Sequence, residues 1–211
     1  MTSKTPAVQF RRQLRSLFAD LRAIIRSSAT SEISRDEFAA KLEGRIGSLA
    51  RVHDMLMRAL DDGIDLEELV RGELLAQCIP PANCRVGGPD TRIGVQAATA
   101  VALALHEMAT NAVLHGALLT GEGRLDVNWD HVAQEGRNWL RLRWNESGVP
   151  LRGLAPTIKG FGLELLERTL PYELDACTQI HWAAEGARIQ ILVPARASAT
   201  LWRAGERVSA T

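Results

Sequence analysis

The sequence predicts an α+β protein: an N-terminal helical hairpin, then a compact domain whose helices cover one face of an antiparallel sheet. Three observations carry this. Two long stretches before residue 61 repeat apolar residues at three- and four-residue steps. One Ala-rich segment, 96–116, is apolar nearly all round. Beyond it, short segments alternate apolar and polar residues with the period of a half-buried strand.

In the first stretch Phe10, Leu14, Leu17, Phe18, Leu21, Ile24 and Ile25 form an apolar stripe with arginines between them. SSATSEI supplies the turn, and Ser34 with Glu37 three residues on is a capping-box pattern that opens a second helix. Its stripe is Phe38, Leu42, Ile46, Leu49, Val52, Leu56 and Leu60. Each helix can only partly bury the other's stripe, so two chains are expected to complete a four-helix bundle as a homodimer.

After Asp61-Asp62-Gly63 the pattern changes. DLEELVRGELLAQ (65–77) reads as a short helix behind an acidic cap, and Pro80-Pro81 closes it. Extended pieces follow at Cys84–Val86 and Thr91–Ile93, then the helix over Gln96–Gly116. Strands are expected over Arg124–Trp129 and Trp139–Trp144, a Gly/Pro-bearing loop over Ser147–Lys159 and a helix over Phe161–Leu174. A closing hairpin joins Thr178–Trp182 to Ala187–Val193 around Glu185-Gly186. The expected organisation is a flexible N-terminus at 1–9, a hairpin at 10–62, an α/β domain at 65–194 and a tail at 195–211.

Lys+Arg and Asp+Glu both total 25, which excludes a net field directed at nucleic acid. The balance hides a local asymmetry: before residue 30, Lys4, Arg11, Arg12, Arg15, Arg22 and Arg26 face a single acid, Asp20. That face is either solvated or a dock for an acidic protein partner. Cys78, Cys84 and Cys177 follow no metal-ligand spacing and read as reduced, packed thiols. With no apolar leader and no span-length uninterrupted apolar run, a soluble, cytoplasmic chain is expected.

Three motifs carry chemistry. In HEMATNA, Glu107 and Asn111 lie four apart and share one helix face. Either they are a satisfied core pair, or Asn111 offers an amide oxygen to a magnesium-bound triphosphate while Glu107 orients water or metal. In WNESG, Glu146 leaves a strand ahead of Gly148; it is an edge-strand acid or an acceptor for an adenine amino group. In GFG, Gly160 and Gly162 open a helix whose free N–H groups suit a phosphate.

Taken in order, HEMATNAVLHGAL, WNESG and GFGLELLERTL resemble the N-box and the two glycine boxes of the HWE histidine kinases, named for the N-box His (here His106) and W-x-E (here Trp144-x-Glu146). EFAAKLEGRIGSLARVHDML is similar to that family's second bundle helix, so the resemblance runs over roughly residues 10–194. It implies a GHKL-type α/β sandwich that binds ATP and Mg²⁺ behind a dimeric bundle. Glu107 and His106 would stand at the catalytic N-box positions, Asn111 would hold Mg²⁺, and Glu146 would read adenine. Gly148 would admit the ring, and Gly160, Gly162 and His115 would contact phosphate. The implied partners are a response-regulator receiver domain or a partner kinase.

The sequence departs from the family pattern at four places. The acceptor His falls on Arg12, the following Asn on Ser16, the N-box Lys on Leu114, and the second Gly of G-G-P on Val149. A guanidinium stays protonated and cannot accept a phosphoryl group. Autophosphorylation at the usual position is therefore not expected. A phosphatase-like or non-catalytic relative that docks receivers is the competing expectation. His53, the bundle's other histidine, reads as an interface residue rather than an acceptor.

Overall fold

The computed structural model describes residues 21–22, 25, 34–59, 63–119, 121–148, 160–183 and 186–195. Most of the first hairpin helix, the loop at 149–159 and the tail beyond 195 lie outside these, although Leu21, Arg22 and Ile25 are helical.

Helix α1 (Arg35–Arg58) starts where the sequence placed it. Ser34 Oγ accepts from the Glu37 N–H at 3.2 Å, while the Glu37 carboxylate pairs with Lys41 one turn on. The capping box is therefore only half closed. Its buried stripe differs from the expected one: Arg45, Ser48, Leu49, Val52 and Met55 face inward, and Ile46 is 40% exposed. The sequence stripe followed the apolar side chains, but one charged residue, Arg45, and one polar residue, Ser48, hold inward positions.

Helix α2 (Leu66–Ala76) is capped by Asp65, whose carboxylate accepts from Glu68 N–H at 2.9 Å. Strand β1 (Ile64–Asp65) pairs antiparallel with β3 (Arg92–Ile93) at the foot of this helix. Helix α3 (Val95–Leu114) is the core helix, with Ala97, Ala98, Ala100, Ala102, Ala104, Ala109 and Ala112 all buried. Small side chains let it lie close to both the sheet and its neighbours. It is long and apolar enough to cross a membrane, but most of it is buried inside the fold.

The main sheet has the order β2-β4-β5-β7-β6. Strands β4 (Arg124–Gln134) and β5 (Arg137–Ser147) are longer than the sequence suggested and meet across Glu135-Gly136, both at positive φ. That is the turn whose twist suits a two-residue hairpin. Strands β6 (Cys177–Ala183) and β7 (Gly186–Pro194) form the expected closing hairpin. The sheet is not wholly antiparallel: β2 (Cys84–Gly87) runs parallel to β4. Parallel neighbours need a crossover, and here β3 and α3 provide it. Leu125, Val127 and Trp129 of β4, Leu140, Leu142 and Trp144 of β5, and Ile189, Ile191 and Val193 of β7 form the buried face.

The expected final helix is continuous in space but changes pitch. Helix α4 (Phe161–Glu164) passes through a π-helical stretch (Leu165–Thr169) into α5 (Leu170–Leu174). Pro171 has no N–H to donate back, so the preceding turn widens.

Candidate functional site

The second half of α3 gathers the sequence-selected residues. Glu107 and Asn111 stand one turn apart, and Gly162 lies against both. A Cβ built on Gly162 would meet Glu107 Cβ at 3.0 Å, Glu107 Oε2 at 3.3 Å and Asn111 Nδ2 at 3.5 Å. A side chain at this position would crowd Glu107 by a few tenths of an ångström. Asn111 is exposed, and space around Gly160 is open. His115 caps α3, donating its backbone N–H to Asn111 O at 2.8 Å, and is also exposed.

Glu146 joins from the sheet side. Positions 140, 142, 144 and 146 of β5 point to the buried face, so Trp144 and Glu146 are same-face neighbours. The Trp144 indole donates to Glu146 Oε1 at 3.0 Å, and the Ala117 backbone N–H donates to Oε2 at 3.0 Å. The carboxylate is 6% exposed, so it is held by the loop that leaves α3 as well as by its own strand. These two bonds give W-x-E a physical meaning: the indole fixes the carboxylate's rotamer. Two carboxylate oxygens carry further acceptor capacity beyond these bonds. Gly148 follows at φ +93, a left-handed conformation that turns the chain off the strand end.

His106 does not join this group. It is 5% exposed and lies among the helices, its Nδ1 3.6 Å from Glu73 Oε2 and 3.3 Å from the Gln77 amide. Its Nε2 is 2.7 Å from where a Cβ on Gly44 would stand, so Gly44 is what lets α1 approach α3. His53 is half-buried on α1.

Sequence reading missed two residues, Glu73 and Arg45. Glu73 is wholly buried and accepts from Ser48 Oγ at 3.0 Å and from Arg51 Nε and Nη2 at 3.0 and 2.6 Å. Burial pushes its carboxyl up, but the nearby His106 ring, the Arg51 guanidinium and the Ser48 hydroxyl outweigh burial and hold it below the usual range. Arg45, 3% exposed, places Nε 2.6 Å from Glu107 Oε1 and Nη2 3.3 Å from Oε2. Its guanidinium also covers the Phe161 ring, 3.8 Å from the centroid. The signal was present: Glu73 sits in the stripe Leu66, Leu69, Val70, Glu73, Leu74, and Arg45 heads that of α1.

The donor set fits a magnesium nucleotide. Among the described residues no cluster of His, Cys, Asp and Glu could hold a metal by itself. The Asn111 amide is exposed and could hold Mg²⁺ together with nucleotide phosphates, the mode in which the ion keeps several ligands from outside the protein.

A helix-flanked sheet carrying this N-box and these glycine boxes is the architecture of a GHKL-type domain of the histidine-kinase family. Residues 13–90 match the HWE histidine kinase model. Blue-light-activated histidine kinase 1 of Erythrobacter litoralis is 31% identical over 201 residues, covering 92% of this chain and 54% of the relative. Blue-light-activated histidine kinase of Brucella anthropi is 33% identical over 156 residues, covering 71% of this chain and 30% of the relative. The chain thus spans about half or less of these relatives. Among solved structures, a blue-light activated histidine kinase of Erythrobacter litoralis superposes with a TM-score of 0.69 at 17% identity, covering 92% of this chain and 61% of that one. The chain belongs to the HWE histidine kinase family.

Proposed function

We propose that the chain binds ATP-Mg through Glu107, Asn111, Glu146, Gly148, Gly160 and Gly162, and that it acts in two-component signalling without autophosphorylating at the usual position. The observation that carries this is the meeting of Glu107 and Asn111 with Gly162 at the end of α3, beside a Glu146 fixed by Trp144. When bound, the nucleotide would supply the phosphoryl group; Asn111 would hold Mg²⁺ and Glu146 would accept from the adenine amino group. His106 belongs, in this reading, to the junction of α1, α2 and α3 rather than to the phosphate chemistry. The cytoplasm suits three separate thiols at Cys78, Cys84 and Cys177.

Leu114 is 51% exposed at the end of α3, an apolar surface where a lysine would neutralise phosphate. A charge-assisted contact is worth about 1.5–3 kcal/mol, or about 10–100-fold in affinity. Leu114→Lys is therefore expected to tighten ATP binding by that factor in calorimetry, and Asn111→Ala to remove its Mg²⁺ dependence. If neither substitution alters affinity, this pocket is not the nucleotide site.

We also propose a homodimer formed by the predicted first helix and the outer side of α1, where Ile46 and Met57 are exposed. Leu49, Val52 and Met55 are already buried in this chain's own core, so they are not available to a second copy. Light scattering is expected to give a mass about twice 23.1 kDa. A monomer at all concentrations would remove the bundle from this reading.

A second reading, a non-catalytic, phosphatase or phosphotransfer regulator that docks receiver domains or a partner kinase, draws support from the Arg45–Glu107 pair. There the carboxylate at the catalytic position is already engaged.

A further inference from the structure

Arg45 comes from the bundle helix, yet it ends between two of the boxes that define the nucleotide site. One side of its guanidinium grips Glu107, in the N-box, and its face covers Phe161, in the second glycine box. The same two boxes are in contact, with Glu107 Oε2 3.3 Å from the position a Gly162 Cβ would take. Phosphates are expected at this helix start, but here the carboxylate has closed onto it. A triphosphate entering this space would meet the Glu107 carboxylate as a like charge, and would compete with it for Arg45.

We propose that Arg45 is a latch: it ties Glu107 to the second glycine box, and it must let go before a magnesium nucleotide can seat. The contact depends on how near α1 lies to α3. Gly44, next to Arg45, sets that distance, because a Cβ there would meet the His106 ring at 2.7 and 2.9 Å. A turn and more further on, α1 is held instead to α2, through the bonds of Ser48 and Arg51 to Glu73. Opening the latch thus loosens α1 at its upper anchor while the lower anchor stays. Nucleotide binding and the position of the bundle helix become one equilibrium.

The latch rests on the nucleotide reading above and deepens it. In a two-state equilibrium the apparent affinity is reduced by the fraction of protein that is open. Releasing the latch must therefore tighten binding. Calorimetry of the full chain with Mg-ATP should show Arg45→Ala binding at least about fivefold more tightly than wild type, because the closed state is no longer favoured. Gly44→Ala should do the same without touching the arginine, since its methyl group pushes α1 off the His106 ring. In wild-type protein, which needs no substitution, Mg-ATP should speed hydrogen exchange of amides in residues 42–47, ahead of the anchor at Ser48 and Arg51. Weaker binding by Arg45→Ala would make Arg45 a phosphate ligand and overturn the latch. Equal affinities with unchanged exchange would overturn it as well, while leaving the nucleotide site intact. Absence of binding in all three proteins would sink the nucleotide reading and the latch together.

Discussion

Glu73→Ala is expected to destabilise the fold by about 3 kcal/mol at neutral pH, the lower end of the cost of breaking a buried ion pair. The lower end applies because the Arg51 side chain is 29% exposed and can return its charge to water. What cannot recover is the interior: Ser48 and His106 lose their shared acceptor between three packed helices. The pH dependence gives a sharper test. The Glu73 carboxyl titrates below its ordinary 4.5 in the folded protein, so it stabilises the fold above that value. The contribution disappears as pH falls through the depressed folded value. Urea unfolding should show the full gap between wild type and variant at pH 7. The gap should close as pH falls below about 4.5. A gap independent of pH would mean that the charge of Glu73 carries no stability and that only packing was lost.

This network also shows what a sequence can and cannot disclose. The helix over 95–114 was legible because its apolar character is local, as were the strands flanking Glu135-Gly136 and the caps at Ser34 and Asp65. Glu107 and Asn111 were legible as a pair because the helical repeat alone puts them on one face. The partners of buried charges were not. Arg45 and Glu107 are 62 positions apart, and Ser48 and Glu73 are 25 apart. No period connects them, and a charged residue in an apolar stripe looks like an interruption until its partner is known. The α1 stripe was consequently rotated toward Ile46, which the fold leaves 40% exposed. Strand β2 is a similar case: its parallel pairing with β4 depends on the path of the whole chain between them. The acceptor position at Arg12 lies outside the described residues, so its consequence is one for experiment.

The wild-type chain, incubated with Mg²⁺ and labelled ATP, is expected to carry no acid-labile phosphate. Phosphorylation at nitrogen needs a neutral imidazole that the γ-phosphate can reach. No histidine precedes His53 in this sequence, and the position that matches the family's acceptor is Arg12. Of the others, His106 is buried at the helix junction, and His131 has its Nε2 3.0 Å from Thr91 Oγ1. Arg12→His restores an acceptor, and label is expected to appear if the ATP site is competent. The latch adds a second, graded expectation. Glu107 can assist transfer only when Arg45 has released it, so Arg12→His combined with Arg45→Ala should label faster than Arg12→His alone. No label in either would identify the chain as a regulator without kinase activity. Strong label on the wild type that vanishes in His53→Ala would instead show an active kinase with a displaced acceptor, because His53 lies half-buried on α1, the helix that Arg45 ties to the site.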